Sequence, residues 1–221
     1  MPAFQPRLDI LPPPQRRLWA ELGATPVEFT LYGGTAIALH LGHRRSVDFD
    51  FFGERALDAH NLMLAIPYLT GGTVTQREPN TLSCVVDRGG PVKLSFFGVP
   101  RLRRLRQPLR APDNGLRIAS LLDLAAAKAR VVQMRAEARD YVDIDALLID
   151  GRIDLPSALA AACAVYGDEF NPQITLKALT YFDEDALRKL PRKVKDRLAD
   201  AVRSVDLDQL PALAPGEDEA R

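Results

Sequence analysis

The stretch LYGGTAIALHLGHRRSVDFDFF, residues 31–52, has a Gly-Gly-Thr sequence near its start and two aspartates, separated by one residue, near its end. Residues 27–32 are mostly apolar, β-branched or aromatic and predict a strand that ends at the glycines. Residues 35–41 predict a short helix closed by Gly42, and residues 46–52 predict the next strand. The stretch therefore predicts a strand, a glycine turn, a helix and a second strand.

The two aspartates fall on one face of the second predicted strand. Alternation puts Asp48 and Asp50 on that face and Val47, Phe49 and Phe51 on the other, which packs on the core. Two neighbouring carboxylates repel each other unless a cation lies between them. Mg²⁺ accepts a few carboxylates together with waters and substrate phosphate oxygens. Taken alone, a D-x-D pattern is more often only the solvated face of a half-buried strand.

The glycines before the helix predict a phosphate-binding site. The amides of Gly33 and Gly34, in a turn at a helix N-terminus, are suited to bind phosphate, and the Thr35 hydroxyl adds a donor. The alternative is that the glycines only form a tight turn and Thr35 caps the helix. The order of the elements places the phosphate and metal groups at one edge of a sheet, which is a more specific pattern than either part.

The rest of the chain divides into a mixed first half and a helical second half. In the first half the patterns predict two helices and a hairpin of two strands, over residues 12–22, 56–69, 81–86 and 92–97. From Ser120 onward the patterns are helical, and Ser120 with Asp123 resembles a capping box. We therefore expect an α+β fold, with a mixed sheet flanked by helices over residues 1–110 and a helical domain over residues 111–221.

Composition limits the class of protein. The chain has 221 residues, 47% of them hydrophobic, and a formal net charge of zero, so we expect a globular protein without a global attraction to nucleic acid or membrane. The two cysteines, Cys84 and Cys163, lie far apart and are more typical of core residues than of a redox or zinc site. We see neither a secretory signal nor a membrane-spanning run of about 20 apolar residues. A cytoplasmic location and a disordered tail over residues 215–221 are expected.

Two blocks of sequence resemble a known family. Gly33-Gly34-Thr35 followed, twelve residues later, by Asp48-Phe49-Asp50 resembles the signature of the nucleotidyltransferase superfamily that includes DNA polymerase β. The sequence of residues 31–52 is most similar to that of the AbiEii-type toxin nucleotidyltransferases of bacterial toxin–antitoxin and phage-defence systems. The second block, LLDLAAAKARVVQMRAEARDYVDIDALL over residues 121–148, resembles the downstream lysine and aspartate motifs of that family.

The resemblance implies a Mg²⁺-dependent active site in a cleft. The helical second half of the chain would complete that cleft. Asp48 and Asp50 would hold the metal, Lys128 would contact the triphosphate, and Asp140 or Asp143 would complete the site. The nucleotide-binding residues would be Gly33, Gly34, Thr35, Arg44, Arg45, Ser46 and Arg139. The residues alone also allow simpler interpretations. In these, Lys128 is an ordinary lysine on a helix surface, and Asp140 is an acid in the first turn of a helix, where the helix dipole favours it. Arg44 or Arg45 then only neutralises the charge of the two aspartates.

The implied reaction transfers NMP from an NTP to an acceptor hydroxyl on tRNA or protein, and an antitoxin protein would restrain it. One departure is Ser95, which stands where polymerase-β-type enzymes usually carry a third carboxylate. The alternative function is therefore a catalytically silent nucleotide- or RNA-binding module. A phosphate-cleaving hydrolase is less well supported, because the sequence shows no obvious histidine or further acid cluster.

The segment RLRRLRQPLR, residues 101–110, contains five arginines and no acid. Such a basic run is suited to an RNA backbone, but equally to acids of the helical half or of an acidic partner protein. It contains no aromatic residue for base stacking. His43, beside Arg44 and Arg45, is a further candidate for contact with the substrate.

Overall fold

The computed structural model describes residues 4–214, and the tail predicted over residues 215–221 lies outside them. The chain forms two compact units. The first comprises the described part of Met1–Leu102 together with Pro108–Ala119. The second comprises Arg103–Gln107 and the described part of Ser120–Arg221.

A mixed sheet forms the centre of the first unit. Its strands are β1 (Phe29–Tyr32), β2 (Asp48–Gly53), β3 (Thr73–Glu78), β4 (Thr81–Asp87), β5 (Pro91–Gly98), β6 (Leu109–Arg110) and β7 (Arg117–Ile118). Among the described residues their order across the sheet is β3-β4-β5-β2-β1-β7-β6. β2 is antiparallel to β1 and parallel to β5, and β4 and β5 form the predicted hairpin. The predicted α+β fold with a mixed sheet is confirmed.

Three helices accompany the sheet in the described part of the first unit: α1 (Pro13–Trp19), α2 (Gly33–Leu41) and α3 (Ala59–Ala65). The apolar residues of α1 and of the 3-10 turn after it, Leu18, Trp19 and Leu22, are buried. α2 ends at Gly42, whose φ of 71° is in the left-handed region that a helix C-terminus favours.

The second unit is helical, as predicted. Within the described residues its helices are α4 (Leu121–Met134), α5 (Ala138–Ile149), α6 (Leu155–Tyr166), α7 (Pro172–Ala178), α8 (Asp185–Arg188) and α9 (Arg192–Arg203). Leu159 of α6, Leu179 at the end of α7 and Leu198 of α9 are fully buried in its core. No helix among residues 4–214 is long and apolar enough to cross a membrane.

Several predicted boundaries were wrong. The helix predicted over residues 56–69 is shorter, because α3 ends before Pro67, which starts a 3-10 turn. The helix predicted over residues 12–22 stops being α-helical at Trp19 and continues as a 3-10 turn. β3, β6 and β7 were not predicted. β6 and β7 have only two residues each, and β7 pairs with Leu31 of β1, which is far away in sequence. The local sequence therefore contains no pattern that predicts these two strands.

Candidate active site

Asp48 and Asp50 lie on the same face of β2, and both side chains are partly exposed. Phe49 and Phe51 are fully buried on the opposite face. The predicted alternation is therefore confirmed for these four residues. It was wrong for Val47, whose side chain is 47% exposed, because β2 begins only at Asp48.

The neighbouring strands contribute three more residues to this face. Asp50 is in register with Tyr32 of β1 and with Ser95 of β5. Asp48 is in register with Lys93 of β5. Cross-strand partners point to the same side of a sheet, so both carboxylates share one face with Ser95 and Lys93. The predicted position of Ser95 beside the aspartates is confirmed.

Gly33 lies directly against the side chain of Asp50. Its φ of 73° lies in the left-handed region, which favours glycine. A Cβ atom at this position would lie only 2.8 Å from Asp50 Oδ2, which is closer than van der Waals contact. α2 begins here, two residues before its predicted start, so Gly33 and Gly34 belong to the first turn. Amides of a first helical turn have no intrahelical partner and favour anions. The glycine pair and an aspartate are thus neighbours in the folded chain.

Thr35 and Ser46 connect α2 to the start of β2. The buried Thr35 Oγ1 donates to the carbonyl oxygen of Asp48 and lies 2.7 Å from Ser46 Oγ. Because Thr35 has one hydroxyl proton and gives it to Asp48, Ser46 must donate the second bond. Among the described residues no side chain caps α2, so the alternative in which Thr35 caps the helix was wrong. The two hydroxyls fix the backbone at Asp48.

Ser95 is buried beside Asp50 and is bonded to a second serine. Ser83 Oγ on β4 donates to Ser95 Oγ over 3.3 Å, and the two residues are in register. A serine hydroxyl is neutral at physiological pH and does not replace a metal-binding carboxylate. This position of the sheet therefore supplies a neutral polar group where the polymerase-β pattern has an acid.

The two carboxylates suit a Mg²⁺ ion that arrives with its substrate. Mg²⁺ usually keeps several waters and takes one or two carboxylates plus substrate phosphate oxygens. Residues 4–214 contain no group of three or more His, Cys, Asp or Glu side chains placed to hold a metal. The donor set therefore fits a Mg²⁺–nucleotide complex better than a resident metal held by protein alone.

Lys128, Asp140 and Asp143 form a buried ion cluster in the second unit. Lys128 Nζ donates to Asp140 Oδ1 at 2.6 Å and lies 2.8 Å from Asp143 Oδ2. The lysine side chain is 7% exposed, and both aspartate side chains are 0% exposed. The two aspartates therefore lie on the same face of α5. The lysine on α4 holds together two carboxylates on α5 that would otherwise repel each other.

Two arginines belong to the same part of the second unit. Arg135 Nε donates to Asp140 Oδ2 at 2.8 Å, so each oxygen of Asp140 faces a cation. Sequence reasoning missed Arg135, which lies in the link between α4 and α5 where helical periodicity stops. Arg139, a predicted nucleotide-binding residue, pairs with Glu137 at 2.6 Å and is half exposed.

The arginine-rich segment is anchored through Asp123. The carboxylate of Asp123 accepts hydrogen bonds from the backbone amides of Leu105 and Arg106, at 2.7 and 3.2 Å, and from Ser120 Oγ at 2.6 Å. Ser120 in turn accepts from the Asp123 amide, so the predicted cap of α4 is confirmed. Asp123 therefore holds the segment over residues 103–107 by hydrogen bonds and also takes part in the cap of α4. Arg103 and Arg106 remain exposed.

The basic residues before the aspartates are partly exposed or exposed. Arg44 Nη1 donates to the carbonyl oxygen of Arg45 at 3.0 Å, and the Arg45 side chain points to solvent. Contact of Arg44, Arg45 or His43 with a nucleotide stays a prediction.

Comparison with known proteins places the chain in a family. The family model described as the nucleotidyl transferase AbiEii toxin of type IV toxin–antitoxin systems matches residues 17–215, which include both blocks of candidate residues. The chain belongs to the AbiEii nucleotidyltransferase toxin family. The resemblance inferred from residues 31–52 and 121–148 is therefore confirmed.

A protein sequence and a solved structure are also similar to this chain. The uncharacterized protein aq_aa25 of Aquifex aeolicus (strain VF5) is 31% identical over 159 residues, which are 71% of this chain and 75% of that protein. Among solved structures, MenT4, the nucleotidyltransferase toxin Rv2826c from Mycobacterium tuberculosis H37Rv, matches with a TM-score of 0.56 at 17% identity. That match covers 91% of this chain and 84% of MenT4, and it shows a shared fold.

Proposed function

We propose that this AbiEii-family protein transfers an NMP from an NTP to an acceptor hydroxyl in a Mg²⁺-dependent reaction. The observation that carries the proposal is the contact of Gly33 with Asp50, which brings the glycine turn of α2 and the two carboxylates of β2 together. Phosphate-binding amides and metal-binding carboxylates together can provide positioning and charge stabilisation, which supply most of the catalysis in phosphoryl transfer.

In this proposal Asp48 and Asp50 hold Mg²⁺, which neutralises charge on the phosphate oxygens when it is bound with the nucleotide. The amides of Gly33 and Gly34 bind the phosphate chain. Thr35 and Ser46 keep the backbone of Asp48 in position. The acceptor hydroxyl releases its proton to solvent as its oxygen forms a bond to the α-phosphorus. The bond from the α-phosphorus to the bridging oxygen breaks, and pyrophosphate leaves with the electron pair.

We also propose that Lys128, Asp140 and Asp143 serve the same reaction, with Arg44, Arg45 and Arg139 as further nucleotide contacts. Lys128 would supply positive charge to the phosphate oxygens, and its two aspartate partners hold its side chain in one orientation. The arrangement supports a charge-balancing role, because a buried lysine with two carboxylates is held in one position.

The acceptor is proposed to be a tRNA or protein hydroxyl, and the biological role is that of a toxin restrained by an antitoxin. Membership of the AbiEii family supports the toxin role. The exposed Arg103 and Arg106 support an acceptor with a phosphate backbone. Growth arrest on expression in a bacterium, absent for the Asp48→Asn variant, is the expected result in cells.

One observation favours a second candidate, a nucleotide- or RNA-binding module without catalysis. Ser95, bonded to Ser83, leaves the face of the sheet with two acids where the polymerase-β pattern has three. This candidate predicts metal-independent RNA binding and no transfer of label with any nucleotide.

The separating experiment incubates the protein with each α-labelled NTP, Mg²⁺, and either total tRNA or a protein extract. We expect label in one acceptor fraction, and its loss in the Asp48→Asn variant. The matched control is Glu28→Gln, which neutralises an exposed acid of the same unit that precedes β1. Absence of label with all four nucleotides and both acceptors, beside intact RNA binding, would establish the silent module instead.

A further inference from the structure

Lys93 is the one charged residue that β5 adds to the face of the aspartates. It is in register with Asp48 across the parallel pair β2 and β5, so the two Cα atoms are about 4.8 Å apart, as on adjacent strands. On its other side Lys93 is in register with Val85 of β4. The only charged side chain in register with Lys93 is therefore a proposed metal ligand.

The side chain of Lys93 is exposed, and its ammonium group makes no ion pair or hydrogen bond with the described part of the protein. Arg88, in the turn of the same hairpin, differs in this respect, because it is bonded through two nitrogens to Glu21 at 2.6 and 2.7 Å. The charge of Lys93 is therefore available to a ligand.

We propose that Lys93 binds a phosphate group of the substrate beside Asp48, an inference that rests on the proposed function. A lysine carries a mobile point charge on a long stem and commonly binds phosphate in this way. A Mg²⁺ ion on Asp48 and Asp50 brings phosphate oxygens to this face, within reach of a side chain one strand away. Lys93 then offsets the negative charge that the substrate adds.

The phosphate has two sources with the same chemistry, the triphosphate of the nucleotide and the backbone of a nucleic-acid acceptor. The two are separated by binding measurements that need no reaction. One arm titrates the protein with inorganic tripolyphosphate in Mg²⁺, and the other titrates it with total tRNA at fixed salt.

The test compares Lys93→Gln with two matched variants. Lys93→Arg keeps the charge. Arg77→Gln removes an exposed cation from the same sheet on its opposite face, since Arg77 is in register with the core residue Leu82. We expect Lys93→Gln to raise one of the two Kd values about tenfold, the effect of one lost charge-assisted contact. Lys93→Arg should restore most of the affinity, and Arg77→Gln should leave it unchanged.

A loss confined to tripolyphosphate assigns Lys93 to the nucleotide, and a loss confined to tRNA assigns it to the acceptor. Equal Kd values for Lys93→Gln and the wild-type protein in both arms would overturn the inference, and so would a wild-type protein that binds neither probe. Label transfer is measured separately on the same samples. A Lys93-dependent Kd without any label transfer would reject the proposed reaction and retain the phosphate site.

Discussion

Gly33 and Asp50 are in contact, and the contact leaves no space for a side chain at position 33. The left-handed φ of 73° favours glycine, and a Cβ atom added here would lie 2.8 Å from Asp50 Oδ2, so another residue would have to displace that carboxylate. The same residue therefore shapes the start of α2 and borders a proposed metal ligand. This double constraint makes Gly33 a sensitive position for testing the site.

We predict that Gly33→Ala lowers label transfer at least about tenfold, because a shift of the Asp50 carboxylate by a fraction of an ångström misplaces the metal. Gly115→Ala is the matched control. Gly115 has nearly the same φ, 75°, but a Cβ there would meet no atom within 4 Å. Both variants carry similar backbone strain, of about 1–2 kcal/mol. Equal activity of the two variants would show that the contact with Asp50 does not matter.

The buried ion cluster predicts a large loss of stability for Lys128→Met. Removal of the ammonium leaves Asp140 and Asp143 buried and adjacent with one cation fewer, at an expected cost of about 3–5 kcal/mol in the free energy of unfolding. Urea unfolding followed by far-ultraviolet circular dichroism measures it. Arg188→Met, which breaks the exposed pair with Asp185, should cost less than about 1 kcal/mol. A stable Lys128→Met protein that loses only activity would show that the cluster is catalytic without being structural.

Asp123 predicts a link between the cap of α4 and the order of the arginine-rich segment. Asp123→Ala removes the acceptor for the amides of Leu105 and Arg106, so trypsin should cleave faster after Arg103 and Arg106. Asp154→Ala is the control, because Asp154 caps α6 through Ser157 without holding a distant loop. Unchanged cleavage after Arg103 and Arg106 in Asp123→Ala would contradict the anchoring role.

Burial of His40 predicts a pH dependence of stability. Burial lowers the pKa of His40, and the hydrogen bond of Nε2 with the carbonyl oxygen of Ala119 offsets this only in part. His40 binds a proton more readily in the unfolded chain than in the folded protein. Its contribution to the free energy of unfolding is therefore complete above about pH 6.5 and is lost as pH falls through and below that value. His40→Gln should flatten the decline in melting temperature between pH 7.5 and 5. The exposed His60, changed to Gln, should leave the decline as in the wild-type protein.

The elements around the site were predictable because their signals are local. Alternation along β2 separates Asp48 and Asp50 from Phe49 and Phe51, and the hairpin before Ser95 has its own turn residues. The pairing of β5 with β2 then fixes Ser95 beside Asp50.

What could not be predicted depends on long-range contacts. The burial of Lys128 requires carboxylates from another helix, and helical periodicity alone makes it a surface residue. The loop-holding role of Asp123 and the cation that Arg135 places on Asp140 likewise join segments whose proximity only the fold determines. Lys93 was overlooked because its significance comes from the register with Asp48.

The role proposed for Asp48 and Asp50 in this AbiEii-family protein is to hold the metal for NMP transfer. The most direct measurement is the initial rate of label transfer from the preferred α-labelled NTP at several Mg²⁺ concentrations. It is made for the wild-type protein and for Asp48→Asn, Asp50→Asn and Glu28→Gln. We predict a Mg²⁺-dependent rate that falls at least about a hundredfold in either aspartate variant and is unchanged in Glu28→Gln. Transfer at the wild-type rate by Asp48→Asn or Asp50→Asn would contradict a metal-binding role of the two aspartates in NMP transfer.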